Sequence, residues 1–132
     1  AELGRRIGMS SPAVTERVRR LEESGIIIGY ALRLNPTPLG LPIAAYIRIR
    51  PHAGQLAPIA ELAQSIPEVV ECHRITGEDC FLLKVHIPAM DQLDRILDCF
   101  LLYGTTTTSI IQSSPVPPRA PPLPIQVNGN TE

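Results

Sequence analysis

LPIAAYIRIR, residues 41–50, is the stretch that decides the fold. Leu41, Ile43, Ala45, Ile47 and Ile49 fall on alternate positions, and Arg48 and Arg50 point the other way. A period of two sends successive side chains to opposite faces of an extended chain, so this is a strand with one face in a core. Downstream the period changes. Residues 55–66 carry Leu56, Ile59, Ala60 and Ala63 at helical spacing and end at Pro67. Residues 69–76 (VVECHRIT) and 80–87 (CFLLKVHI) are strands joined by a tight Gly77-Glu78-Asp79 connection, with Phe81, Leu83, Val85 and Ile87 on one face. Pro88 closes the second of them. Residues 90–102 form a helix that turns Met90, Leu93, Leu97, Phe100 and Leu101 inward and stops at Gly104, and residues 105–113 (TTTTSIIQS) form a last strand.

The order β-α-β-β-α-β is the ferredoxin-like split βαβ, in which two helices cover one face of a four-stranded antiparallel sheet. The chain supplies nothing for the other face, so self-association is expected. Beyond it, residues 115–132 are rich in proline and lack periodicity, which predicts a disordered tail.

Working back from residue 41, NPTPLG at 35–40 is turn chemistry and marks a domain boundary. IIIGYALRL at 26–34 is aliphatic and β-branched and reads as a strand. Before it, Val14, Val18 and Leu21 fall on one face of a helix that Ser10 or Ser11 caps, that Pro12 opens and that Gly25 stops. Pro12, Glu16, Arg19 and Arg20 lie opposite that stripe, with Ala13, Thr15 and Arg17 on its flanks. Residues 1–8, with Leu3 and Ile7 four apart and Gly8 at the end, read as a short preceding helix. Two short helices about a tight turn, the second basic on its outside, form a helix-turn-helix pattern. Ala1 falls inside the first helix, so the chain reads as a piece of a longer protein.

Composition narrows the function. At 44% hydrophobic and 19% charged, the 132 residues read as a soluble globular protein. No apolar run is long enough for a membrane span, and no signal peptide is present. The cysteines Cys72, Cys80 and Cys99 fit no disulfide framework, which points to a reducing cytoplasm. Residues 1–40 hold six arginines against four acidic side chains, while residues 41–132 are net acidic. A basic front and an acidic rear suggest two tasks on one chain. Cys72, His73, Cys80 and His86 lack the spacing of a metal site, and neighbours such as Cys72 and His73 face opposite ways on a strand. No nucleophile elbow, phosphate-cradling glycine loop or paired carboxylate is present, and His52, His73 and His86 lack a motif, so no enzyme and no cofactor is expected.

The run ELGRRIGMSSPAVTERVRRLEESGIIIGYALRLNPTPLG resembles the helix-turn-helix and linker of the Lrp/AsnC (leucine-responsive/asparagine) regulators. Glu2-Leu3, Gly8, Ser10, Arg17-Val18, Leu21-Glu22, Gly25-Ile26, Gly29-Tyr30 and Leu39-Gly40 all match its pattern in one register. ECHRITGEDCFLLKV is similar to the family's strand-loop-strand signature, and GTTTTSIIQSSPVPPR to its last strand. Two departures stand out. The helix that opens the family's DNA-binding domain has no counterpart ahead of Ala1, and Cys80 occupies an acidic position of the signature, with Asp79 one residue earlier.

The resemblance implies an α+β protein: a partial, winged-helix-like helix-turn-helix over residues 1–25, a strand and linker over 26–40, and a ferredoxin-like amino-acid-sensing and oligomerisation domain over 41–114. It implies a sequence-specific, DNA-binding transcription regulator, working as a homodimer and often as an octamer of four dimers. Ser11, Pro12, Ala13, Thr15, Glu16, Arg17, Arg19 and Arg20 are placed to meet double-stranded DNA. Glu16 would accept from cytosine N4, Arg19 and Arg20 would reach guanine or phosphate, and Arg17 would reach phosphate. It also implies an amino-acid effector held by Gly77, Glu78, Asp79 and Cys80, with Thr106 and Thr108 offered by a neighbouring chain. A carboxylate suits an α-ammonium, and hydroxyls suit an α-carboxylate. The alternative is a stand-alone amino-acid-binding module without DNA binding.

Overall fold

The computed structural model describes residues 10–124. The chain divides into two compact units, Ala1–Leu34 and Asn35–Glu132.

In the first unit a single described helix, α1, spans Ser11–Glu23. Ser10 is its N-cap, and its hydroxyl oxygen accepts from the Ala13 N–H at 3.4 Å. Pro12 sits in the first turn, where the missing N–H removes no helical hydrogen bond. The other end closes with paired backbone bonds, Gly25 N–H to Glu22 C=O at 3.1 Å and Ile26 N–H to Leu21 C=O at 3.0 Å. That pairing needs a left-handed residue at its corner, and Gly25 supplies it with φ +81°. The expected helix over residues 1–8 lies outside the described residues.

The expected strand over 26–34 does not form. Among the described residues this segment belongs to no strand, and all its large side chains but Ile27 are exposed, Ile28 96% and Leu32 86%. The residues are right for a strand, but among the described residues no neighbour pairs with them. A strand's stability comes from its ladder and its packed face rather than from backbone preference.

The second unit is the expected βαββαβ. Its elements are β1 (Ile43–Pro51), α2 (Leu56–Ser65), β2 (Val69–Arg74), β3 (Phe81–Ile87), α3 (Met90–Phe100) and β4 (Gly104–Ile110). The sheet order is β2-β3-β1-β4 and every neighbouring pair is antiparallel. β1 therefore has a neighbour on each side. Its inward residues Ala45, Ile47 and Ile49 lie directly opposite Val85, Leu83 and Phe81 of β3, and all six are buried. The helices contribute Ile59 and Ala63 from α2, and Leu93, Ile96 and Phe100 from α3.

Several details differ from the sequence reading: Leu56, at the first position of α2, is exposed, and β4 ends at Ile110 rather than at residue 113. Met90 and Leu101 are exposed, and Ile96 takes the inward position. Leu93, Ile96, Leu97 and Phe100 already complete a helical stripe, which leaves the residues at the ends of α3 outside it. Gly104 is the first residue of β4 rather than a simple helix stop. A Cβ there would lie 2.5 Å from the Arg50 carbonyl oxygen, so only glycine lets β4 approach β1 at this point. Residues 115–124 form no strand, and all but Leu123 are exposed.

Candidate nucleic-acid interface and effector loop

The cap and the apolar stripe fix which way α1 faces. Val14 is buried, and Val18 and Leu21 are half-buried. Ser11, Pro12, Ala13, Thr15, Arg17, Arg19 and Arg20 are exposed, and Glu16 is half-buried among them. The Thr15 hydroxyl donates to the Ser11 carbonyl at 3.0 Å, which commits its proton to the helix itself. Arg19 and Arg20 gather on Glu16. Arg19 reaches it with Nη2 at 2.6 Å and Nε at 3.1 Å, and Arg20 Nε lies 3.3 Å away. Arg19 Nη1 also donates to Glu23. The Arg19 and Arg20 guanidinium groups, Arg19 first, hold the Glu16 carboxyl below the usual carboxylate range, and Glu16 in turn raises Arg19. Glu16, expected from the sequence to accept from a base, accepts from these arginines within its own helix. Its i, i+3 and i, i+4 spacing to the arginines was the signal for this pairing.

The β2–β3 loop is shaped by its own backbone. The Ile75 N–H donates to the Cys80 carbonyl at 2.9 Å, and Gly77 turns the chain with φ +105°. The Cys80 thiol points back to the carbonyls of Gly77 and Glu78 at 3.7 and 3.6 Å. Glu78 and Asp79 are not free carboxylates. Arg50 lies 2.8 Å from Glu78 and 3.5 Å from Asp79, and Arg48 lies 3.9 Å from Asp79. Sequence reasoning set both arginines on the face away from the core and gave them no role.

The structure separates the two halves of the expected effector site within one chain. Thr106 and Thr108 lie opposite Ile49 and Ile47, which puts them on the helix-covered face. Thr105 and Thr107 lie opposite Arg50 and Arg48, on the open face that the loop carboxylates reach. Cys72 and His73 likewise split between faces, opposite Leu83 and Leu82. Elsewhere on the unit, a groove between α2 and β2 is lined by Leu56, Ala60, Gln64, Cys72, Arg74 and Phe81. The Arg74 guanidinium sits 5.1 Å over the Phe81 ring there, and burial pushes the Cys72 thiol up. Among the described residues no group of three or more His, Cys, Asp or Glu is placed to hold a metal, and no helix is long and apolar enough to cross a membrane.

Comparison with known proteins settles what kind of molecule carries these features. Residues 44–121 match the Lrp/AsnC ligand-binding domain, and residues 1–28 match a winged helix-turn-helix DNA-binding domain. The chain belongs to the Lrp/AsnC family. Its relatives include the HTH-type transcriptional regulator LrpC of Bacillus subtilis, 34% identical over 85% of this chain and 78% of the relative. Two solved structures resemble this Lrp/AsnC protein along most of its length. One is a transcriptional regulator of Neisseria meningitidis in complex with L-methionine, with TM-score 0.80 and 27% identity, covering 95% of this chain and 85% of that one. The other is the feast or famine regulatory protein of M. tuberculosis complexed with L-methionine, with TM-score 0.76 and 31% identity, covering 91% and 84%. The protein is a transcription regulator of the Lrp/AsnC type, not an enzyme.

Proposed function

We propose that this Lrp/AsnC protein is a cytoplasmic homodimer that binds operator DNA through the outer face of α1 and responds to an amino acid. The observation that carries the DNA reading is the exposed outer face of a capped helix, with Arg19 and Arg20 at its centre, in a chain matched to a winged helix-turn-helix. Ser11, Pro12, Ala13, Thr15, Arg17, Arg19 and Arg20 meet the major groove or the flanking phosphates. Two such helices in a dimer read half-sites about one helical turn apart. Self-association is supported by the unpaired apolar segment over 26–34, and four dimers would complete an octamer.

The effector reading rests on L-methionine in two structural relatives and on the chemistry of the loop. Gly77, Glu78, Asp79 and Cys80 form the loop that would hold an amino acid, whose α-ammonium would compete with Arg48 and Arg50 for the Glu78 and Asp79 carboxylates. Thr106 and Thr108 reach that loop only from a neighbouring chain, because their own strand places them on the other face. The ligand acts by its differential affinity for two assembly or DNA-bound states.

The test is a fluorescence titration of the full-length protein against its own upstream DNA, across salt, with and without a panel of amino acids. Binding with a steep salt slope, altered by one amino acid, supports the whole reading. Arg19→Ala weakens specific binding by about 1–3 kcal/mol. An unchanged dissociation constant for that variant removes the outer face of α1 from the interface. Indifference to every amino acid removes the sensor and leaves the regulator.

A further inference from the structure

A helix that gripped DNA by charge alone would be strongly cationic, and α1 is not. It carries Arg17, Arg19 and Arg20 against Glu16, Glu22 and Glu23, so its formal charge is zero. Glu16 stands at the centre of that balance. Its Oε1 accepts from Arg19 at 2.6 Å and Arg20 at 3.3 Å, and its Oε2 accepts from Arg19 at 3.1 Å. One carboxylate thus takes the planar fork of Arg19 and touches Arg20 as well, while Glu23 takes the remaining Arg19 nitrogen.

This arrangement bears on two kinds of binding differently. Sequence-independent affinity comes from neutralising phosphates, which are the same everywhere on the duplex. Base readout comes from geometry, above all an arginine fork on the two acceptors of a guanine edge. A carboxylate beside the arginines repels phosphate at every site. It also holds the Arg19 fork in one plane on the exposed side of the helix. Exposed helical ion pairs are weak, so a correctly placed guanine edge can replace Glu16 as the partner of Arg19.

Taking the outer face of α1 as the DNA-contacting one, we propose that Glu16 is a specificity-determining positioning residue. It orients Arg19 and Arg20 and withholds their charge from phosphates, so that they are released where base edges compete successfully for them. In this role Glu16 need not touch a base.

The test compares the full-length protein with Glu16→Gln and Glu16→Asp, by fluorescence anisotropy on an operator duplex and on a scrambled duplex across salt. Glu16→Gln is expected to bind the scrambled duplex at least about threefold more tightly. Its log–log salt slope should steepen by about 0.9, the value for one added phosphate contact. Operator affinity rises less or falls, so the ratio of the two affinities drops. Glu16→Asp keeps the charge but draws the carboxylate away from the Arg19 fork. It should leave scrambled binding low and weaken operator binding. Equal shifts on both duplexes in Glu16→Gln, or a wild-type ratio in both variants, would overturn the proposal. A full-length wild-type protein that binds neither duplex would instead remove the reading of α1 as the DNA-facing helix, on which the role of Glu16 rests.

Discussion

Residues 26–34 and β1 are close in composition and opposite in fate. IIIGYALRL and IAAYIRIRP are both nine-residue stretches of aliphatic side chains, one tyrosine and arginine. β1 has β3 on one side and β4 on the other, and Ile47 and Ile49 at its centre are fully buried. Among the described residues the upstream segment has no ladder, and Ile28 is almost fully exposed. What separates them is the presence of neighbours. β-propensity describes a surface on which a residue fits, and one of these segments has been given that surface within its own chain.

The sharpest way to break the contrast is to truncate one side chain in each. Ile47→Ala is expected to destabilise the second unit by about 2–5 kcal/mol, because it leaves a cavity in a close-packed core. Ile28→Ala should change the unfolding free energy of a dilute monomer by under about 0.5 kcal/mol and, if the proposed homodimer forms, raise its dissociation constant. Chemical denaturation at two protein concentrations measures both. Equal losses in the two variants at low concentration would mean that 26–34 is packed within its own chain.

A smaller effect is expected at Gly104. A methyl group there meets the Arg50 carbonyl oxygen at 2.5 Å, so Gly104→Ala must push β4 from the end of β1. A loss of about 1–3 kcal/mol in unfolding free energy, read as a lower denaturation midpoint, is expected, as for other overpacked sites. A neutral result would show that β4 pairs loosely with β1 where it begins.

The smallest effect concerns the open face of the sheet. His86 is held below the usual imidazole range, by burial first and the Lys84 cation second, with the Glu71 carboxylate opposing. Its Nδ1 is buried without a hydrogen-bond partner. The folded state therefore binds fewer protons there than the unfolded chain does. Its contribution to stability is complete above the ordinary imidazole value and is lost as pH falls from there through the folded value. Thermal midpoints should decline over that window, and less steeply in His86→Gln. An identical pH profile for the two proteins would remove His86 as the cause.

Much of the second unit was legible in its sequence because alternation and helical spacing carry phase. Ile43 to Ile49 and Phe81 to Ile87 each declare an inner face without help from any partner. The exceptions share one physical reason. Four consecutive threonines carry no phase, so which of them face the core depends on register with β1, and that placed Thr106 and Thr108 apart from the β2–β3 loop. The role of Arg48 and Arg50 was hidden for a related reason: which residues a loop folds back upon is a matter of topology. In α1 the cap, the opening proline and the closing glycine were readable, while the Glu16 pairing was signalled by its spacing but expected as a base contact. Of the two serines offered as caps Ser10 is the one used, Pro12 opens and Gly25 closes.

The sheet order has a consequence for synthesis. β1 is the first strand of its unit to leave the ribosome, yet its two neighbours are the third and the fourth. Ala45 must wait for Ile110, which is made near the end of the unit. Until β3 is made, a nascent chain carries a strand of isoleucines with both edges bare, and one edge stays bare until β4 follows. Stalled or truncated translation products ending before β4 should therefore be the aggregation-prone species of this protein, and a chaperone that shelters β1 during that interval would act on the chain where it is most vulnerable.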